Sequence, residues 1–140
     1  MLYLDTSVLV SALTKESQTR DVQDWLAGYD LRSCAISDWT ETEFASAISI
    51  KLRSRNLDLD DGMAASLTFQ QLIHETLVHW PVAVEDFRIA TAFAKRHELG
   101  LRSGDALHLA ICAARGAVVG TRDARMAQAG LAVGVHTILV

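Results

Sequence analysis

The chain has 140 residues, of which 50% are hydrophobic, and its 13 Lys and Arg against 17 Asp and Glu give a formal net charge of −4. These values predict one globular domain over residues 1–140 and exclude a disordered chain. Taken alone, the negative charge argues against a nucleic-acid ligand, unless bound cations neutralise a clustered acidic site. No apolar run reaches the roughly 20 residues of a membrane-spanning helix and no basic leader precedes one, so we expect a cytoplasmic protein with no membrane contact.

Short apolar runs alternate with longer segments of helical period along the chain. Strands are predicted at residues 1–4, 31–36, 78–82, 116–120 and 133–140. Helices are predicted at residues 8–13, 21–27, 37–53, 63–77, 84–98, 103–115 and 123–129, with a polar connector at 54–61. Strands that alternate with helices favour an α/β fold, in which helices cover both faces of a central parallel sheet.

Four acidic residues recur where a strand gives way to a helix, or within the first turns of that helix. They are Asp5, Glu43, Asp105 and Asp123. The carboxyl ends of parallel strands meet at one edge of the sheet, and open α/β sheets place their ligand sites there. Four converging carboxylates without a basic partner repel one another unless a cation joins them. The pattern therefore predicts a divalent-metal site and a phosphate-bearing substrate.

Each of these acids also has a structural role open to it, because acidic side chains suit helix N-termini. Thr6 or Ser7 is expected to cap the first helix, which leaves Asp5 free for another role. Thr121 is expected to cap the last helix in the same way and to free Asp123.

The second acid has a competitor two residues away, since Glu41 and Glu43 can each complete a capping box at the start of the same helix. Their spacing turns them to different faces. Ser103 is a candidate cap for the helix that carries Asp105. His108 follows one turn later, inside an apolar run, where a histidine is more often a satisfied core or rim residue than a catalytic base.

Other chemistries lack their residues in this chain. No nucleophile elbow and no phosphate-binding P-loop is present. A haloacid-dehalogenase-type phosphatase needs a second acid two residues after Asp5, where the chain has Ser7, and a phospho-receiver domain needs a late lysine after a strand, whereas Lys95 is predicted to be helical. Cys34 and Cys112 are predicted to be buried free thiols.

Basic residues cluster at Lys51, Arg53 and Arg55, and again at Arg122 and Arg125. Such runs are more often solvated helix faces than ligand sites, and we interpret them in that way.

Four segments together resemble the motifs of PIN domains, in order and with the spacing of that family. They are LYLDTSVLV at 2–10, EFASA at 43–47, DALHLA at 105–110 and TRD at 121–123. The compact size and the third motif look most like the VapC toxins of toxin–antitoxin pairs. Phe44 and Ala47 follow Glu43 as the second motif requires, which favours Glu43 over Glu41.

The resemblance implies a three-layer α/β/α PIN-like fold and an endoribonuclease that depends on Mg²⁺ or Mn²⁺. It implies that Asp5, Glu43, Asp105 and Asp123 form the catalytic and metal-binding cluster, with Thr121 as a supporting polar group. It also implies an RNA substrate, a homodimer and inhibition by a VapB-like antitoxin. The alternative is a non-catalytic PIN-like module that binds RNA or protein, for which the acids would not be needed.

Overall fold

The computed structural model describes all 140 residues, which form five strands and seven α-helices. The strands are β1 (Leu2–Leu4), β2 (Cys34–Ser37), β3 (Val78–Trp80), β4 (Val118–Thr121) and β5 (Thr137–Leu139). The helices are α1 (Thr6–Leu13), α2 (Thr19–Leu26), α3 (Asp38–Arg53), α4 (Leu59–Glu75), α5 (Val84–Ala94), α6 (Ser103–Arg115) and α7 (Ala124–Ala132). None of these helices combines the length and the apolar character that crossing a bilayer requires.

The five strands make one sheet in the order β3-β2-β1-β4-β5, and every neighbouring pair is parallel. Strand β1 lies in the centre, where Tyr3 pairs with Ala35 on one side and with Val119 on the other. Parallel strands need crossover connections, which explains why each strand from β1 to β4 is followed by at least one helix.

Side chains of the central strands alternate between two hydrophobic clusters, one on each face of the sheet. Leu2 and Leu4 pack into a cluster with residues of α1, α3 and α4, whereas Tyr3 points to the opposite cluster with residues of α5, α6 and α7. All three β1 residues are at most 8% exposed. This burial on both faces is typical of parallel sheets, and it confirms the predicted three-layer α/β/α fold. Cys34 and Cys112 are buried and free, as predicted.

Several element boundaries differ from those predicted. Helix α4 begins at Leu59, inside the predicted polar connector, because the side chain of Asp58 accepts a hydrogen bond from Asp61 N and caps it. Helix α5 ends at Ala94, and a 3₁₀ turn that Gly100 closes in the left-handed region (φ 62°) replaces its predicted last residues. By contrast, α6 has the predicted bounds.

The order of the strands fixes where a ligand can bind. The chain builds β1, β2 and β3 outward on one side and then returns to the other side of β1 for β4 and β5. The direction of winding therefore changes between β1 and β4, and α/β sheets place ligands in the crevice beyond the carboxyl ends of the strands at such a point. Asp5 follows β1 directly, and its N–H donates to Gly120 O of β4 at 3.0 Å.

Candidate active site

A cleft of about 430 Å³ opens at the carboxyl ends of β1 and β4, at the change in winding direction. Its walls come from the start of α1, one face of α3, the first turn of α6 and the loop before α7. All four predicted acids line it: Asp5, Glu43, Asp105 and Asp123. The size falls within the range of small-ligand sites.

Asp5 is the most buried of the four acids, with only 5% of its surface exposed. Its Oδ2 accepts hydrogen bonds from Ser7 Oγ at 2.5 Å and from Thr121 Oγ1 at 2.7 Å. Neither Thr6 nor Ser7 caps α1, contrary to the prediction: both lie inside the helix, and Asp5 occupies the cap position without a side-chain cap bond. Their hydroxyl groups donate to carboxylates instead, that of Thr6 to Glu43 and that of Ser7 to Asp5.

Asp123 caps helix α7, a role that was wrongly predicted for Thr121. It occupies the cap position of α7, where its Oδ1 accepts from the N–H groups of Arg125 at 2.8 Å and Met126 at 3.0 Å. These bonds fix the carboxylate at the mouth of the cleft. Because they use Oδ1 alone, Oδ2 keeps its lone pairs for a ligand.

Asp105 lies in the first turn of α6, as predicted, although Arg102 rather than Ser103 holds the cap position. Its Oδ2 accepts from Arg102 N at 3.0 Å. Burial raises the pKa of Asp105, and the negative charges of Asp123 and Asp5 raise it further against the opposing effects of the Arg102 N–H and of His108. The surroundings of Asp105 therefore disfavour its charged form on balance.

Glu43, and not Glu41, projects into the cleft. Its Oε2 accepts from Thr6 Oγ1 at 2.8 Å and from His108 Nε2 at 2.6 Å. Glu41 lies on another face of α3, where its Oε1 is 2.7 Å from His79 Nε2. The two capping boxes proposed for these glutamates were wrong.

The helix is capped instead by Ser37 together with Thr40, so neither glutamate is needed at its N-terminus. Burial raises the pKa of Glu43, but the hydrogen bonds from His108 and Thr6 outweigh burial and hold that pKa below its usual range.

His108 is a site residue that the sequence interpretation missed. It is 1% exposed, and its Nε2 lies 2.6 Å from Glu43 Oε2 and 3.3 Å from Asp5 Oδ1. It is indeed buried and satisfied, but its partners are two of the four acids. The signal lay in the spacing: His108 is three residues after Asp105, and residues three apart share one face of a helix.

The other ring nitrogen explains why Nε2 carries a proton. Tyr3 OH lies 2.7 Å from His108 Nδ1 and also contacts Ser37 Oγ at 2.7 Å and Thr40 Oγ1 at 2.9 Å. If Tyr3 donates to Nδ1, the neutral ring keeps its proton on Nε2, and a charged ring carries one there as well. His108 is therefore a fixed hydrogen-bond donor to the carboxylates in either state.

Gly104 supplies the space that Glu43 occupies. A Cβ atom at this position would lie 2.5 Å from Glu43 Oε1 and 3.4 Å from the Trp39 ring. The backbone does not require glycine here, because Gly104 is helical and has no positive φ. The absence of a side chain at Gly104 therefore leaves the space in which the Glu43 carboxylate lies.

The charges of the cleft test whether a divalent cation fits. None of the four acids forms an ion pair with a lysine or an arginine, and His108 is their only potentially cationic contact. A carboxylate oxygen of Asp5 and one of Glu43 also lie within 4.8 Å of each other. Oxygen-rich, uncompensated carboxylates are the donor set that Mg²⁺ and Mn²⁺ prefer, so the residues fit such an ion.

Comparison with known proteins places this geometry in a family. The family model of the PIN domain matches residues 2–131. No curated protein sequence matches the chain.

Solved structures share the fold over almost the whole chain. FitAB bound to the IR36 DNA fragment is 21% identical, covering 99% of this chain and 94% of the other, with a TM-score of 0.77. VapC20 of Mycobacterium tuberculosis, a sarcin-ricin-loop-cleaving toxin, is 16% identical and has a TM-score of 0.73; the match covers 93% of this chain and 95% of VapC20. VapBC2 of Rickettsia felis, bound to promoter DNA, is 15% identical over 99% and 98%, with a TM-score of 0.67. At these identities the structures establish a common fold.

Proposed function

Because this chain belongs to the PIN domain family, we propose that it is an endoribonuclease that depends on Mg²⁺ or Mn²⁺ and acts as the toxin of a toxin–antitoxin pair. PIN domains are generally nucleases. One observation carries the proposal: four acids from separate parts of the chain line one cleft at the change in winding direction, and none of them is ion-paired with a lysine or arginine side chain.

In this proposal residues 1–140 act as one domain whose four acids hold the ion. Asp5 and either Asp105 or Asp123 bind it directly, and Glu43 binds it directly or through water. A bound ion of this kind lowers the pKa of a water molecule and neutralises negative charge on a phosphate. The protein supplies the positions of these ligands and a polar cleft that admits the RNA strand.

Hydrogen bonds from the chain keep those carboxylates in place. Thr121 and Ser7 hold one oxygen of Asp5. His108 donates to one oxygen of Glu43, and its Nε2 lies 3.3 Å from the other oxygen of Asp5. Groups oriented in this way lose little freedom when a ligand binds, which is how preorganised sites gain their rate advantage.

Incubation of the purified protein with total RNA tests the activity. Cleavage should appear with Mg²⁺ or Mn²⁺, disappear with chelator, and give defined ends when the cut sites are mapped. Loss of a residue that only hydrogen-bonds to a metal ligand typically lowers activity by roughly 10–100-fold. Asp5→Asn removes a proposed ligand itself and should lower cleavage by more than this. Full activity in that variant would exclude the proposed site.

The two neighbouring glutamates of α3 provide a matched pair of variants. Glu43→Gln should reduce both cleavage and the rise in melting temperature that Mn²⁺ produces, whereas Glu41→Gln, on the other helix face, should leave both intact. Absence of cleavage together with absence of any metal-dependent stabilisation in the unmodified protein would favour the non-catalytic binding module.

The proposed partners are an RNA substrate, a VapB-like antitoxin and a second copy of the chain. The similarity to the FitAB and VapBC complexes supports the antitoxin. Val84 and Phe87 on α5 are 69% and 53% exposed, which is apolar surface that a partner chain would cover. Light scattering of the purified chain, alone and co-expressed with the product of a neighbouring short reading frame, tests both assemblies.

A further inference from the structure

Three charged residues outside the acidic cluster form a linked group, and two of them, Glu16 and Arg122, line the cleft. Lys51 Nζ donates to Glu16 Oε1 at 2.6 Å, and Arg122 Nη1 donates to Glu16 Oε2 at 3.2 Å. The three side chains come from α3, from the loop between α1 and α2, and from the loop between β4 and α7. We call this group the basic triad, because its two cations and one anion leave a net positive charge.

The basic triad is unusually well covered for surface charges. The side chains of Lys51, Glu16 and Arg122 are 22%, 26% and 21% exposed, whereas Lys15 in a surface ion pair with Asp61 is 82% exposed. Lysine and arginine are seldom covered to this degree unless they are paired. The triad is therefore a built feature of the fold, in contrast to the solvated helix face that the sequence pattern favoured.

Helix α3 connects the basic triad with the acidic cluster. Glu43, Ala47 and Lys51 are spaced by four residues, which places them along one face of the helix. Eight residues of helix correspond to roughly 12 Å. Glu43, Ala47 and Ile50 line the cleft, and Lys51 follows Ile50 and reaches Glu16, which also lines it.

Arg122 links the same two regions from the opposite wall. It precedes Asp123, it lines the cleft, and its N–H donates to Ser7 Oγ, the hydroxyl group that donates to Asp5. Its guanidinium contacts Ser11, Glu16 and Gln18, while its Nε is buried and has no hydrogen-bond partner. The side chain thus carries more donors than the protein satisfies.

We propose that Lys51 and Arg122 form a phosphate-binding subsite for the RNA strand, and that Glu16 occupies this subsite as an internal anion while no RNA is bound. The inference rests on the proposed function, because it assumes that RNA lies in the cleft. The ligand is a backbone phosphodiester adjacent to the one that is cleaved. Guanidinium and ammonium groups are the usual protein partners of such phosphates, and Glu16 presents two carboxylate oxygens in the same position.

The experiment measures binding without catalysis, so that it does not depend on whether the protein cleaves RNA. Fluorescence anisotropy of a labelled single-stranded RNA oligonucleotide is recorded in chelator over a series of NaCl concentrations. Lys51→Gln and Arg122→Gln should each weaken binding and lower the slope of log K against log salt by about one, the value for one lost phosphate contact. Arg20→Gln, an exposed arginine outside the cleft, is the control.

Glu16→Gln should have the opposite effect and tighten binding by roughly 3-fold or more, because it removes the anion that competes for the subsite. Asp61→Asn makes the same change in net charge and frees Lys15 from its exposed pair. If the two substitutions tighten binding equally, only net charge matters and the proposal fails.

Melting temperatures separate this proposal from a purely structural triad. A structural triad predicts lower melting temperatures for all three variants with unchanged RNA affinity, and that result would overturn the inference. Normal cleavage combined with unchanged affinities would reject the subsite alone. Altered affinities in a protein that cleaves nothing would reject the proposed activity and keep the subsite.

Discussion

Replacement of Gly104 by alanine should move stability and activity in opposite directions. The new Cβ would lie 2.5 Å from Glu43 Oε1, whereas ordinary contacts begin at 3.4 Å. Glu43 must therefore retreat by roughly 1 Å, a displacement that can reduce catalysis by about 100-fold. The backbone tolerates alanine, because Gly104 lies in α6 without a positive φ, and alanine stabilises helices by at most about 1 kcal/mol over glycine.

The assay combines three measurements on the same preparations: RNA cleavage, Mn²⁺ affinity by calorimetry, and thermal unfolding in chelator. We expect weaker Mn²⁺ binding and weaker cleavage, with a melting temperature that stays unchanged or rises by up to roughly 4 °C. Gly62→Ala is the control, because it makes the same change in α4, where the new Cβ meets only the flexible ends of Leu52 and Leu57. Full activity in Gly104→Ala, or a large loss of stability, would refute the idea that Gly104 serves to make room for the Glu43 carboxylate.

Three further predictions concern residues that hold the site or support it. Asp105→Asn should stabilise the metal-free protein at neutral pH, because burial and neighbouring acids disfavour the charged form and raise the pKa of Asp105. It should also reduce the metal-induced rise in melting temperature, and a destabilised metal-free variant would contradict the first expectation. His108→Leu should lower the free energy of unfolding by about 3 kcal/mol, because two carboxylates and Tyr3 lose a partner. Urea denaturation measures this change, and an unchanged stability would show that His108 does not hold these groups. Phe44→Ala, at a buried ring stacked 4.0 Å from Phe69, should cost about 3–5 kcal/mol by the same method, and a smaller effect would indicate that the core refills the space.

The sequence was sufficient to predict the fold class and the convergence of the four acids on one cleft. Asp5 and Asp123 follow short apolar runs, which is the pattern of buried strands, and strand ends converge wherever the sheet is parallel. Glu43 could be preferred to Glu41 because Phe44 and Ala47 follow it as the second motif of the family requires. These conclusions need no knowledge of distant contacts.

Hydrogen-bond partners could not be predicted in this way. Ser7 and Thr121 were predicted to cap helices, yet both donate to Asp5, because the fold brings a carboxylate within reach. His108 meets Glu43, 65 residues away in sequence, and no local pattern encodes that meeting. The length of β5 is likewise set by its pairing with β4 and not by the longer apolar run that contains it.

The central place of β1 also determines when the site can form during synthesis. Asp5 accepts a hydrogen bond from Thr121, which lies 116 residues later at the end of β4. Asp123, which caps α7, follows two residues after Thr121. At about 5–20 residues per second a ribosome needs roughly 6–24 s to make the intervening chain. A nascent chain that ends before Asp123 therefore cannot assemble the four acids, and an RNA-cleaving activity housed here would stay silent towards the ribosome that has not yet translated that residue.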